Sequence, residues 1–266
     1  MSHLTERLDA IKAEGRAALI GYLPVGFPTV ERSIRAMTTM IDAGVDIVEV
    51  GLPYSDPVLD GPVIQLAAET ALERGCQVSD AFTAVRAAVD AGAPAVIMSY
   101  FNPMLQYGLE RFADDLVSAG GSGAITPDLT PDAAGGWLEV ARSRSLDTIF
   151  LVAPSSTSER LHLTARETTG FVYAASLMGV TGERATVGGA AEQLVGATRA
   201  AGAPRVCVGL GVSTGIQASE VARYADGVIV GSALVRCLID HDDEGEALEA
   251  LRLKTRELVR GVRREL

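Results

Sequence analysis

Residues 46–65 read Asp-Ile-Val-Glu-Val-Gly-Leu-Pro-Tyr-Ser-Asp-Pro-Val-Leu-Asp-Gly-Pro-Val-Ile-Gln. The β-branched apolar run at 47–51 predicts a strand of a parallel sheet that is buried on both faces. Because side chains alternate along a strand, Ile47, Glu49 and Gly51 share one face. Burying an ionised carboxylate is costly unless it is paired or protonated. Glu49 is therefore either capped by backbone donors or part of a functional site.

The loop after this strand is rigid and acidic. Its prolines each fix their own φ and restrict the residue before them; they are Pro53, Pro57 and Pro62. The loop also carries Asp56 and Asp60. Ordinary turn aspartates are one explanation. Since Asp60 follows a strand that carries Glu49, a functional site is the favoured explanation.

Eight short apolar runs alternate with helical patterns along the chain and predict eight strands. They are Ala17–Tyr22, a strand starting at Ile47, Ala95–Ser99, Gly123–Thr126, Thr148–Val152, Phe171–Ala175, Arg205–Val208 and Gly227–Val230. Such alternation requires a parallel sheet. We predict an α/β fold, a (β/α)8 TIM barrel in one domain over residues 1–266.

Additional helices are predicted at the N-terminus, over residues 4–14, and after strand two, over residues 63–74 and 79–91. A doubly wound open sheet is the alternative architecture. It usually carries a GxGxxG fingerprint after strand one, and the residues from Gly21 to Gly26 do not match it.

The composition argues against several classes of function. A formal net charge of −11 disfavours nucleic acid and anionic membranes as partners. None of the three histidines falls at a predicted strand end, so neither a histidine triad nor a metal cluster is supported. Lys12 and Lys254 are too near the chain ends for a Schiff-base lysine on a central strand. Three cysteines without CxxC spacing and no signal peptide predict a cytoplasmic protein.

In a barrel of this type the site lies where the strands end. Strand two supplies Glu49, and its loop supplies Asp60. Strand six supplies Tyr173, which is otherwise explained as a core aromatic residue whose hydroxyl finds some partner.

Glycine-rich turns follow the last three strands, at 179–182, 209–211 and 231–232. Glycines and helix N-termini let a phosphate approach free backbone N–H groups. Three such turns at adjacent strand ends favour phosphate binding over ordinary βα turns. The Gly-rich segment 179–189 is also predicted to form a lid that phosphate orders over Asp60.

The chain resembles the family of tryptophan synthase alpha chains over nearly its whole length. The segments that carry the resemblance are Gly21–Pro28, Val48–Pro57, Asp60–Gln65, Tyr107-Gly108, Pro127-Asp128-Leu129, Tyr173, Gly179–Gly182 and Gly231-Ser232. Many members carry a basic residue shortly after the tyrosine, where this chain has Leu177-Met178.

The resemblance implies retro-aldol cleavage of indole-3-glycerol phosphate to indole and glyceraldehyde 3-phosphate in L-tryptophan biosynthesis. By matching position, Glu49 is the acid–base carboxylate, Asp60 faces the indole nitrogen and Tyr173 contacts the substrate. The matching phosphate site is Gly182, Gly211, Gly231 and Ser232. No metal or cofactor is expected in this chain.

The resemblance also implies a beta chain as partner, with pyridoxal phosphate in that chain and an alpha2beta2 heterotetramer as the assembly. We expect the proline-stiffened loop to face this partner, with Pro53 and Asp56 at its tip. Two other functions stay open at this point. One is another barrel enzyme acting on a phosphorylated sugar, and the other is a barrel that binds a phosphorylated ligand mainly as a regulatory partner.

Overall fold

The computed structural model describes residues 2–175, 189–209 and 211–265. Within these residues the strands are β1 (Ala18–Pro24), β2 (Ile47–Gly51), β3 (Ala95–Met98), β4 (Gly123–Ile125), β5 (Asp147–Ile149), β6 (Leu151–Val152), β7 (Val172–Ala175), β8 (Val206–Gly209) and β9 (Gly227–Val230). The helices are α1 (His3–Ala13), α2 (Val30–Asp42), α3 (Pro62–Glu73), α4 (Val78–Asp90), α5 (Phe101–Tyr107), α6 (Leu109–Ser118), α7 (Gly135–Ser143), α8 (Ser158–Glu167), α9 (Gly189–Ala200), α10 (Gly215–Val221), α11 (Ser232–Ile239) and α12 (Glu244–Val262).

The strands form one parallel sheet in the order β5-β4-β3-β2-β1-β9-β8-β7-β6. Its two edge strands, β5 and β6, are consecutive in the chain and are separated only by Phe150. The sheet therefore returns on itself as a barrel of eight βα units. The predicted (β/α)8 TIM barrel is confirmed, and the predicted fifth strand is divided at Phe150.

The additional helices also lie where the sequence predicts them. Helix α1 precedes β1, and α3 and α4 both follow β2. Helix α5, which follows β3, is not among the helices predicted from the sequence. Pro103 is the third residue of α5, and the first turn of a helix tolerates proline because its N–H groups have no partner within the helix. Among the described residues, no helix is long and apolar enough to cross a membrane.

Alternation along the strands separates two apolar layers. Val48 and Val50 point outward into the layer between the sheet and the helices. Ile20 and Ile47 point inward, where they pack with inward residues of the other strands and with the apolar stripe of α1. The inward layer is thus apolar at the amino ends of the strands. The predicted shared face of Ile47, Glu49 and Gly51 is the inward face.

Ion pairs fasten α1 across the amino ends of the strands. Asp46 immediately precedes β2 and is 3% exposed; its carboxylate accepts from Arg7 and Arg16, each at 2.7 Å, and from the Leu19 N–H at 3.0 Å. Asp226 immediately precedes β9 and pairs with Lys12 of α1. Helix α1 therefore closes the barrel at the amino ends of the strands, and the carboxyl ends form the open end.

Candidate active site

A cavity of about 290 Å³ opens at the carboxyl ends of the strands. Its lining combines two carboxylates, two tyrosines, apolar side chains and glycines. The lining residues are Tyr22, Glu49, Val58, Leu59, Asp60, Gly61, Ile64, Gln65, Met98, Leu151, Tyr173, Ala175, Gly209, Gly211, Ile229, Gly231 and Ser232. The structure therefore brings Glu49, Asp60, Tyr173, Gly211, Gly231 and Ser232 together in one cavity.

Glu49 is the most deeply buried acid of this cavity, with 1% of its surface exposed. Its Oε2 atom finds no hydrogen-bond partner within the described part of the chain. Burial, and then the negative charge of Asp60, raise the pKa of Glu49 to about 8. A carboxyl group in this setting holds its proton at neutral pH and can donate it, as a general acid must.

Asp60 lies at the end of the proline-rich loop, just before α3. Burial raises the pKa of Asp60 to about 6, and a hydrogen bond from the Tyr100 hydroxyl opposes that rise. The side-chain amide of Gln65 donates to the Asp60 carbonyl oxygen at 2.7 Å and fixes the backbone. Near neutral pH Asp60 is therefore mostly ionised, whereas Glu49 is mostly protonated.

Tyr100 connects the loop to the barrel. Its hydroxyl accepts from the N–H groups of Val58, at 3.2 Å, and Leu59, at 3.0 Å. Its ring packs against Tyr54 of the same loop, with 5.0 Å between the ring centroids. Tyr100 thus holds the loop in place while its own hydrogen is free to bond Asp60. Tyr100 is not among the site residues predicted from the sequence, although it follows β3 by two positions and so lies at a strand end.

Two tyrosines lie across glycines of neighbouring strands. Tyr22 pairs in register with Glu49, and its ring lies where a Cβ on Gly51 would be. Tyr173 pairs in register with Cys207, and its hydroxyl lies where a Cβ on Gly209 would be. In both cases the glycine lies two residues after the residue that pairs with the tyrosine, and therefore on the same face of the sheet. Both glycines are required because any side chain there would overlap a tyrosine.

The glycine-rich turns after β8 and β9 reach the same cavity. Gly211 has a φ of +67°, in the left-handed region that favours glycine. Gly231 precedes α11, and Ser232 is its first residue. The first turn of a helix has free N–H groups and a partial positive charge, which suits an anion. Gly182 and residues 179–188 of the predicted lid lie outside the described residues.

Of the two residues predicted at the tip of the loop, Pro53 and Asp56, only Asp56 is exposed. Pro53 is buried at the base of the loop, and Asp56 is exposed and accepts from the Ser55 hydroxyl at 2.6 Å. The exposed apolar side chains of the loop are Val58, at 76%, and Leu59, at 47%. The tip is therefore apolar beside one carboxylate.

Over residues 2–175, 189–209 and 211–265, no three His, Cys, Asp or Glu side chains are grouped so as to hold a metal ion. The fold and the cavity define a (β/α)8 barrel with two carboxyl groups of unequal pKa at its mouth, an arrangement suited to acid–base chemistry.

Comparisons with known proteins identify the family. The profile described as tryptophan synthase alpha chain matches residues 8–263. The alpha chain of Mycobacterium marinum is 56% identical over 262 residues, covering 98% of this chain and 95% of the relative. The alpha chain of Thermobifida fusca is 53% identical over 267 residues, covering 99% and 98%.

Solved structures agree with this result. A chain of Mycobacterium tuberculosis tryptophan synthase superposes with a TM-score of 0.93 at 53% identity, covering 98% of each chain. The alpha subunit from Legionella pneumophila superposes with a TM-score of 0.90 at 30% identity, covering 99% of each. The protein belongs to the family of tryptophan synthase alpha chains.

Proposed function

We propose that this chain is the lyase that cleaves indole-3-glycerol phosphate into indole and glyceraldehyde 3-phosphate by a retro-aldol reaction, in the last steps of L-tryptophan biosynthesis. Family membership supports the reaction. The observation that carries the assignment of residues is the carboxylate pair in one cavity, with a pKa of about 8 for Glu49 and about 6 for Asp60.

Glu49 performs both proton transfers. In its protonated form it donates a proton to C3 of the indole ring, which places positive charge on the ring nitrogen. The resulting Glu49 carboxylate then accepts the proton of the C3′ hydroxyl group. As that O–H pair forms the carbonyl of the aldehyde, the C3–C3′ bond breaks and its electrons restore the aromatic ring. One group positioned between the two atoms is sufficient, and the proton count balances.

Asp60 stabilises the charge that develops in this reaction. An anion beside the indole N–H favours the protonated ring over the neutral substrate, which lowers the barrier selectively. With a pKa of about 6, Asp60 supplies that anion at neutral pH. The apolar side chains of Met98, Leu151 and Ile229 line the same cavity and suit the flat indole ring.

The phosphate is held at the other end of the substrate, by Gly182, Gly211, Gly231 and Ser232. The cavity lining supports Gly211, Gly231 and Ser232. The assignment of Gly182 rests on the resemblance alone. Binding the phosphate at a distance from Glu49 fixes the scissile bond against the acid and uses binding energy for orientation. Tyr173 contacts the substrate between these two ends.

We also propose a beta chain as the partner, in an alpha2beta2 heterotetramer, with pyridoxal phosphate in the beta chain. The exposed tip of the proline-rich loop, Asp56 with Val58 and Leu59, is the proposed contact surface, and Pro53 stiffens its base. The three free cysteines are consistent with a reducing compartment and support a cytoplasmic location.

Indole formation from indole-3-glycerol phosphate by the purified chain, alone and with a beta chain added, tests the proposal. We expect indole and aldehyde in equal amounts, and faster turnover with the partner. Asp56→Ala should weaken this activation, while the matched change Asp240→Ala at the exposed end of α11 should not. Absence of indole in both settings would contradict the proposed reaction, and equal activation of both variants would contradict the proposed surface.

A further inference from the structure

We propose that Tyr22 is a positioning residue of this site, whose hydroxyl group donates a hydrogen bond to the Asp60 carboxylate in the substrate complex. The inference rests on the proposed function and extends it, because it assigns a role to a residue of β1 outside the sequence-based assignments. The bond would hold Asp60 ionised and aimed at the indole nitrogen.

The placement of Tyr22 limits where its hydroxyl can lie. Its Cα is in register with Glu49, and its ring occupies the space beside Gly51 that any side chain would fill. Gly231 of the adjoining turn borders the other side of the ring. The ring therefore leans along the barrel axis toward the start of the loop that ends in Asp60. Both Tyr22 and Asp60 line the cavity.

The ionisable groups around Tyr22 come from four elements. They are Asp60 of the proline-rich loop, Glu49 of β2, Tyr100 after β3 and Tyr173 of β7. Burial raises the pKa of Tyr22 well above its usual value, and the charge of Asp60 adds more to this rise than that of Glu49. For Tyr173 the order is reversed, with Glu49 before Asp60. The charge of Asp60 thus acts more strongly on Tyr22 and that of Glu49 more strongly on Tyr173, and both tyrosines stay protonated donors.

Asp60 has room for a second donor. A carboxylate has two acceptor oxygens, whereas the Tyr100 hydroxyl has a single hydrogen to donate. Tyr100 already accepts from the N–H groups of Val58 and Leu59, which orients that hydrogen. Hydrogen bonds of a catalytic centre commonly tighten only in the substrate complex. Tyr22 then supplies the second hydrogen bond, since its ring is already held at the correct edge of the cavity.

The test compares Tyr22→Phe with Tyr173→Phe, because each removes one hydroxyl from a tyrosine that lies over a glycine. The measured quantity is kcat for indole formation as a function of pH, because kcat reports the pKa values of the substrate complex. In the wild-type chain kcat should rise with pH as Asp60 ionises, with a midpoint at or below the pKa of about 6 that Asp60 has in the free chain. Losing a donor to an anion raises the pKa of that anion. We expect Tyr22→Phe to move the rise in kcat upward by about half to one pH unit, and to lower kcat several-fold on the rising limb.

Tyr173→Phe should leave this rise in place. An unchanged rise in Tyr22→Phe, or an equal displacement in both variants, would overturn the proposal. A loss of kcat by the same factor at every pH would also overturn it, since that is the result of a purely structural role.

A second measurement does not depend on turnover. Carbon-13 labelled aspartate allows NMR titration of Asp60 with a non-cleavable phosphorylated indole analogue bound, and Asp60→Asn identifies its signal. The pKa of Asp60 should be higher in Tyr22→Phe than in the wild-type chain. An identical pKa in both would overturn the role of Tyr22 whether or not the chain forms indole. Absence of indole together with a displaced titration would instead contradict the proposed reaction and support the contact.

Discussion

Replacing Glu49 with glutamine should inactivate the chain and also change how its stability depends on pH. Glutamine keeps the shape of the side chain but can neither donate nor accept the transferred proton. Since the proposed mechanism assigns both proton transfers to this group, kcat should fall at least about a hundredfold. Binding of the substrate should be retained, because the apolar walls and the glycine turns are untouched.

The effect on stability follows from the raised pKa of Glu49. Burial lifts it from 4.5 to about 8 in the folded chain. A group whose folded pKa lies above its unfolded value stabilises the fold at low pH, and that contribution is lost as the pH rises through the folded pKa. At about 1.4 kcal/mol per pH unit, the wild-type chain should lose about 3 to 4 kcal/mol of unfolding free energy at this group between about pH 5 and about pH 8. Glu49→Gln should not show this loss.

Urea unfolding followed by circular dichroism at these two pH values provides the assay. The matched control is Glu73→Gln, which makes the same chemical change at an exposed position on α3 and should follow the wild-type chain. The difference between Glu49→Gln and the wild-type chain should therefore grow with pH. Parallel pH dependence in the two, or near-normal turnover of Glu49→Gln, would refute the assignment of Glu49 as a buried acid.

Three further predictions concern both ends of the barrel. The pH profile of kcat/KM should be bell-shaped, rising through about 6 as Asp60 ionises and falling through about 8 as Glu49 loses its proton; a flat profile over that range would count against both roles. In steady-state assays Asp60→Asn should lose far more activity than Tyr173→Phe, and the reverse ranking would contradict the charge-stabilising role. Asp46→Ala should lower the unfolding free energy by about 2 to 3 kcal/mol in urea titrations, because it removes the buried carboxylate that two arginines share and leaves the buried Leu19 N–H group without its acceptor; a change below about 0.5 kcal/mol would contradict this account.

The strand pattern was predictable because each strand is short, apolar and β-branched. All eight predicted strands occur, and helices α3 and α4 begin within one residue of their predictions. The errors come from local signals whose meaning depends on position. The unpredicted helix α5 begins three residues after β3 and carries Pro103 in its first turn, where proline is tolerated. The break of the fifth strand at Phe150 depends on which neighbour each half pairs with, β4 on one side and β7 on the other, and no local pattern encodes that choice.

The site likewise contains residues that the sequence predicts and residues that only the structure identifies. Glu49 and Asp60 were predictable because a carboxylate on a buried strand is rare and because its rigid loop carries a second one. Tyr22 was hidden, since a tyrosine at the end of an apolar strand is usually a core residue. Its role becomes visible only through Gly51, whose missing side chain leaves space for the ring. That contact joins residues 29 positions apart on adjacent strands, which sequence spacing alone does not relate.

Buried carboxyl groups have opposite surroundings at the two ends of the barrel. At the amino ends of the strands, Asp46 is satisfied by two arginines and a backbone N–H group, so its burial fastens α1 to the sheet. At the carboxyl ends, burial and the negative charge of Asp60 raise the pKa of Glu49, and the described residues place no compensating cation among the groups that shift it. A cation there would lower that pKa and remove the proton that the reaction requires. The burial of Glu49 without a cation therefore costs stability but is needed for the proposed proton transfer. The ion pairs at the opposite end of the barrel help to offset that cost.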